Sequence, residues 1–146
     1  MEETVGNVTV TAELHETDAE SITTLSEVCR KYDHLGHEMK EHVYAVFVNG
    51  ANEVLADKLI GVGTAAAVNI DVTDIVRTAA LINARAVILV HNHPSGDASP
   101  SNGDKTATQE VRKALNLLDI ELLDHVIIAR RSTHSMRDKH SHLFTR

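Results

Sequence analysis

The sequence predicts a mixed α/β domain, a central sheet flanked by helices. Three features carry that expectation. Residues 86–90, Ala-Val-Ile-Leu-Val, form an uninterrupted apolar run of strand length, the pattern of a strand buried on both faces. Helical stretches at 71–84 and about 103–118 bracket it. Residues 41–48 and 53–60 read as strands joined by Asn49-Gly50-Ala51-Asn52, a composition suited to a hairpin turn.

In chain order, residues 1–14 alternate loosely at Val5, Val8, Val10 and Ala12, which fits either a short strand or a loose arm; residues 1–17 are set apart as an N-terminal arm. A helix is predicted to run to about Tyr32 from a cap at Asp18 or Ser21, with Ile22, Leu25, Val28 and Cys29 on one face. Residues 33–40 form a polar connection. In the second strand of the hairpin, Gly61 and Gly63 mark the break. A short extended piece ends near Ile70, and the helix over 71–84 buries Ile75, Val76, Ala79 and Ile82. The buried strand at 86–90 then leads through a Gly- and Pro-bearing loop to the helix at 103–118 and a last strand at 122–129. No repeat or low-complexity segment intervenes, so residues 18–138 form one domain and residues 139–146 a C-terminal tail.

Length and composition agree with a single domain: 146 residues, 42% of them hydrophobic. Aromatic residues are scarce at 3%, with no Trp, so the core has to be built from Val, Leu, Ile and Ala. The lone Cys29 excludes an intramolecular disulfide, and with no signal sequence the expected location is the cytoplasm. No apolar run approaches the roughly 20 residues of a membrane-spanning helix.

Charge is unevenly placed. Residues 1–28 hold seven acids and no Lys or Arg, whereas residues 126–146 hold five bases and one acid, in a chain of net charge −7. That balance opposes general affinity for a polyanion, so weak or no nucleic-acid binding is expected. The basic end reads as a solvated terminus. A homodimer through exposed strand edges or the N-terminal arm is the favoured assembly.

The chemistry is concentrated in His91-Asn92-His93-Pro94-Ser95-Gly96-Asp97 and the residues that follow. A strand continued through this point turns His91 and His93 to one side, and Ser101 and Asp104, three apart at the start of a helix, share a face. Two loop histidines in ordinary hydrogen bonds and a Ser or Asp helix cap would give parts of the same pattern. Two nitrogens and one oxygen also make three zinc ligands. A closed structural site would usually take a fourth protein ligand, often sulfur, so a site built here keeps a position for water.

His-x-His-Pro, six residues, Ser, two residues and Asp resembles the signature of the JAMM (MPN+) metalloproteases, and HNHPSG followed by a Pro-Ser pair resembles the RadC branch. Lys40-Glu41-His42-Val43, Asn83-Ala84 and Leu122-Leu123-Asp124-His125-Val126-Ile127-Ile128 extend the likeness over about residues 18–138. The resemblance implies a JAB/MPN fold, similar to the cytidine-deaminase α-β-α sandwich. It implies Zn²⁺ on His91, His93 and Asp104, Glu41 as the base that takes the water's proton, and Ser101 as the hydroxyl that stabilises the oxyanion. Glu38 and Glu53 are the rivals of Glu41. The implied activity is hydrolysis of peptide or isopeptide bonds in a protein or peptide substrate.

A second reading, a RadC-type DNA repair or recombination accessory, ranks lower. RadC proteins resemble a helix-hairpin-helix segment followed by the metal domain, and the stretch before Glu41 is too short for that segment. Asp97 is read as a turn acid. His125 either orients a ligand or makes a structural pair within the sheet. His140-Ser141-His142, with no proline, spaced Ser or acid, reads as incidental, and His15, His34, His37 and His42 show no ligand spacing.

Overall fold

The computed structural model describes residues 2–5, 8–11, 22, 24–63 and 69–145. The N-terminus takes the strand alternative: β1 (Glu2–Val5) and β2 (Val8–Thr11) pair antiparallel in a two-stranded sheet of their own. After them come α1 (Leu25–Lys31), a 3-10 turn at Asp33–His37, β3 (Glu41–Val48), β4 (Val54–Gly63), α2 (Val72–Leu81), β5 (Ala86–Asn92) and α3 (Asn102–Asn116). β6 (Glu121–Ile128), β7 (Thr133–Ser135), α4 (Met136–Lys139) and a 3-10 turn at Ser141–Leu143 complete the order.

Strands β3 to β7 form one mixed sheet in the order β4-β3-β5-β6-β7. Only β5 and β6 run parallel; the other neighbours are antiparallel. Every residue of the central β5 is buried, which explains why its sequence is continuously apolar where a half-exposed strand would alternate. On one face Ile88 and Val90 pack with Val46, Val48, Val126, Val28, Tyr32 and Leu35, beneath α1 and the first 3-10 turn. On the other, Val87 and Leu89 pack with Phe47, Ile75, Ala79, Val111 and Leu115, beneath α2 and α3. Helices thus cover both faces, and the mixed α/β sandwich expected from the sequence is the architecture of the chain. The parallel step from β5 to β6 requires a crossover, which α3 supplies. As a result the loop leaving β5 and the first turn of α3 lie together at the carboxyl end of the central strand.

Local differences from the sequence reading have identifiable causes. Helix α1 starts at Leu25, because Thr24 and Glu27 form a reciprocal capping box, the Thr24 N–H donating to Glu27 at 2.9 Å and the Glu27 N–H to Thr24 at 3.3 Å. Just upstream, the Ile22 N–H donates to the Asn52 carbonyl at 2.8 Å, so the chain there lies against the hairpin. Asp18 and Ser21, the predicted caps, lie outside the described residues. The connection at 33–40 contains a 3-10 turn that buries Leu35, and Gly36 passes so close to Ala129 that a Cβ would sit 3.1 Å from its carbonyl oxygen.

Strand β4 continues through Gly61 and Gly63. The pairs Val43↔Gly61 and Tyr44↔Leu59 leave Ile60 as an extra residue, a bulge that absorbs the irregularity without ending the strand. The extended piece before Ile70 falls largely on residues 64–68, outside those described. In α2, Ile75 and Ala79 are buried as expected, together with Thr78, while Val76 and Ile82 are partly buried. The elements after β6 bury Met136 and Leu143. At three or four residues each, they are too short to show a period. No helix among the described residues is long and apolar enough to cross a membrane.

Candidate metal centre

Three elements converge at the carboxyl end of β5. The register Val43↔His91 puts Glu41, two residues before Val43, on the same side of the sheet as His91 and His93. Asp104 reaches the same point from the first turn of α3. Glu41, His91 and His93 offer ligand atoms that all lie within 4.8 Å of one another, a group that could hold a metal ion. His91 Nε2 and His93 Nε2 are 2.8 Å apart; Asp104 Oδ2 is 3.1 Å from His93 Nε2, and Asp104 Oδ1 is 3.5 Å from His91 Nε2. Glu41 Oε1 stands further off, 3.9 Å from His93 Nε2.

The proton on each imidazole is fixed by what its other nitrogen meets. His93 Nδ1 faces the Asp97 carbonyl at 2.8 Å, and because a carbonyl only accepts, Nδ1 carries the proton. For His91 the fixing runs through a buried chain. The Thr108 hydroxyl donates to the Asp104 carbonyl at 2.7 Å, leaving its oxygen to accept from His125 Nδ1 at 2.7 Å. His125 Nε2 is then an acceptor and takes the proton of His91 Nδ1 at 2.6 Å. Burial pushes the proton affinity of His125 well down, so His125 stays neutral. Both His91 and His93 therefore turn Nε2 toward the same point, beside the Asp104 carboxylate. Two imidazole nitrogens 2.8 Å apart, beside a carboxylate, suit either a shared proton or a metal ion.

The charges around the cluster respond accordingly. Burial lowers the proton affinity of His93, but hydrogen bonds to Asp104 and to the Asp97 carbonyl, with the charges of Asp104 and Glu41, raise it overall. Burial alone would raise Asp104; hydrogen bonds and charge from His91 and His93, with the Ser101 N–H, hold it well below the ordinary carboxylate range. Burial is the largest influence on Glu41 and raises it, against the pull of His91 and His93 and with the push of Asp104.

The donor set suits a metal in kind and spacing. Bonds of about 2.0–2.2 Å in a tetrahedron put neighbouring donor atoms about 3.4 Å apart. The closest donor atoms of His91, His93 and Asp104 are separated by 2.8–3.5 Å, and Glu41 Oε1 lies 3.9 Å from His93 Nε2. Imidazole nitrogens with carboxylate oxygen, and no sulfur, are borderline ligands of the kind divalent transition metals take.

Ser101 is the N-cap of α3. Its hydroxyl accepts the Asp104 N–H at 3.0 Å while its own N–H donates to Asp104 Oδ2 at 2.8 Å, a reciprocal box that aims the carboxylate at His93. The rivals of Glu41 lie elsewhere: Glu38 and Glu53 are exposed, and Glu53 accepts from Asn49 Nδ2 at 3.5 Å. Asp97 takes part through its backbone carbonyl, while its carboxylate closes the turn by accepting the Ser99 N–H at 2.9 Å. His140 stacks on His134 at 5.2 Å and meets His142 edge-on. Thr108 has no signal in the sequence: it looks like any polar residue on a helix, and only tertiary contact with β6 gives it a place in the centre.

A UPF0758 protein of Chlorobaculum tepidum is 46% identical over 101 residues, covering 69% of this chain and 46% of that protein. A UPF0758 protein of Chlorobium chlorochromatii is 40% identical over 102 residues, covering 70% and 46%. One of Chlorobaculum parvum is 44% identical over 101 residues, covering 69% and 46%. The chain thus spans about half the length of these relatives. Residues 20–141 match the RadC-like JAB domain. With that match taking in the sheet, α3 and all four residues of the cluster, the chain belongs to the RadC-like JAB domain family.

Proposed function

We propose that this domain is a zinc-dependent hydrolase of peptide or isopeptide bonds. The observation that supports the reading most is the meeting of two imidazole nitrogens and the Asp104 carboxylate at one point, with a second carboxylate, Glu41, 3.9 Å from His93. In this reading His91, His93 and Asp104 would hold the zinc, three protein ligands being the number a hydrolytic site uses. When bound, zinc supplies Lewis acidity, polarising a carbonyl and making water acidic near neutral pH.

Glu41 takes the proton of the water whose oxygen attacks the carbonyl carbon, then delivers it to the nitrogen as the C–N bond breaks. Ser101 accepts from the Asp104 N–H, so its own hydroxyl proton is free to donate to the oxyanion that develops on the carbonyl oxygen.

Protein purified without chelator is expected to contain about one zinc per chain, and His91→Ala to contain almost none. Fluorogenic peptides and isopeptide-linked conjugates should be cleaved by the loaded protein and spared after dialysis against a chelator. Equal zinc in wild type and His91→Ala, or cleavage that survives metal removal, would overturn the proposal.

A further inference from the structure

Strands β3 and β5 part at the metal centre. Their ladder runs from Val48↔Ala86 to Val43↔His91, and the next pair in register would join His42 to Asn92. The chain after Asn92 follows β6 instead, the His93 N–H donating to the Ile128 carbonyl at 3.0 Å. One side chain spans the resulting wedge. Asn92 Oδ1 accepts the His42 N–H at 2.7 Å, and Asn92 Nδ2 donates to the Lys40 carbonyl at 2.9 Å. These belong to the two peptide groups that flank Glu41. Asn92 is 1% exposed, and a flipped amide would set donor against donor and acceptor against acceptor, so its orientation is chemically determined.

We infer that Asn92, placed between the two histidines, is the positioning residue for Glu41. The assignment deepens the reading of Glu41 as proton acceptor and rests on it. Strand β4 holds the far side of β3 through Glu41↔Gly63, which leaves the side facing β5 to Asn92. The need is steric as well as catalytic. A glutamate on a loose strand end could swing inward as a fourth ligand and close the position that water requires. Bonds to both neighbouring peptides fix the backbone from which the Glu41 side chain reaches the centre, its Oε1 3.9 Å from His93 Nε2.

The test uses metal-free protein and the ring ¹⁵N signals of His91 and His93. Glu41→Gln is expected to shift the His93 signal, because the carboxylate is its neighbour. In an Asn92→Ala background the same change should shift it less than about a third as much, the non-additivity of residues that act together. Equal shifts in the two backgrounds would overturn the assignment. Asn92→Asp provides a second measure should the alanine variant not fold: it keeps the acceptor for His42, drops the donor to Lys40, and should lower the coupling while the His42 amide stays protected from exchange. Undiminished coupling in that variant is equally fatal. The Glu41 reading fails on a separate result, hydrolysis by Glu41→Gln at the wild-type rate.

Discussion

His91 and His93 carry their protons on the same ring nitrogen for different reasons. For His93 the anchor is a loop carbonyl; for His91 it is a chain of groups drawn from β6 and the second turn of α3. Thr108→Val keeps the shape of the side chain, frees His125 to take either tautomer, and is expected to weaken zinc binding about 10- to 100-fold in a chelator-competition titration. Thr108→Ser, which keeps the hydroxyl, should stay close to wild type. The two carboxylates should separate in another way. Glu41→Gln is expected to retain metal and lose roughly 100- to 10,000-fold in cleavage rate, whereas Asp104→Asn should lose the metal itself, since a neutral amide is a poorer ligand. Zinc content and steady-state cleavage on the same preparations check both. At this scale much was legible. The spacing of His91, His93, Ser101 and Asp104 put these side chains within reach of one another, as the structure has them, because strand and helix periods are local properties. Thr108 and the bonds of Asn92 were not, since their partners are 17 and 50 or more residues away and no local period reports them.

Among the elements, α3 links stability to chemistry. Its capping box uses Asp104, a proposed ligand, as the third helical residue, so the start of the helix and the aim of the carboxylate are one feature. Ser101→Ala removes the side-chain half of the box and is expected to cost about 0.5–2 kcal/mol in urea unfolding. Zinc should remain, because the Ser101 N–H that holds Asp104 Oδ2 belongs to the backbone and survives the change. Loss of zinc in Ser101→Ala would show that the hydroxyl, and not the amide, orients the ligand. Helix α3 and strand β6 were read from sequence nearly to their ends, being long and patterned. Helix α1 was overextended because its cap, Thr24, lies among several residues able to cap, and only the contact of Ile22 with the hairpin decides between them. The glycines of β4 were read as a break since glycine weakens strands, yet a bulge accommodates them.

For the whole molecule, the layered arrangement was legible and the strand order was not. Apolar runs and helical stripes announce two covered faces, but nothing in the pattern says that β5 lies between β3 and β6, a matter of long-range pairing. Charge is a property of the same scale. With 21 Asp and Glu against 14 Lys and Arg, duplex DNA binding near physiological salt is expected to be weaker than about 1 μM and to fall steeply as salt rises. Fluorescence anisotropy on wild type and an Arg130→Ala, Arg131→Ala variant tests this. Those arginines are exposed, whereas cutting away the C-terminal residues would strip Met136 and Leu143 from the core. Sub-micromolar binding unaffected by the two substitutions would favour a nucleic-acid role.

The facing ring nitrogens of His91 and His93 also bear on how long the chain survives. Folding brings them to 2.8 Å and so creates a place for a proton or a metal ion that the unfolded chain does not have. An ion that binds only the folded state, at a free concentration 100 times its dissociation constant, adds about 2.7 kcal/mol of stability. With the cluster loaded as proposed, resistance to proteolysis is expected to rise with free zinc, and equal proteolysis rates with zinc and with chelator would count against it.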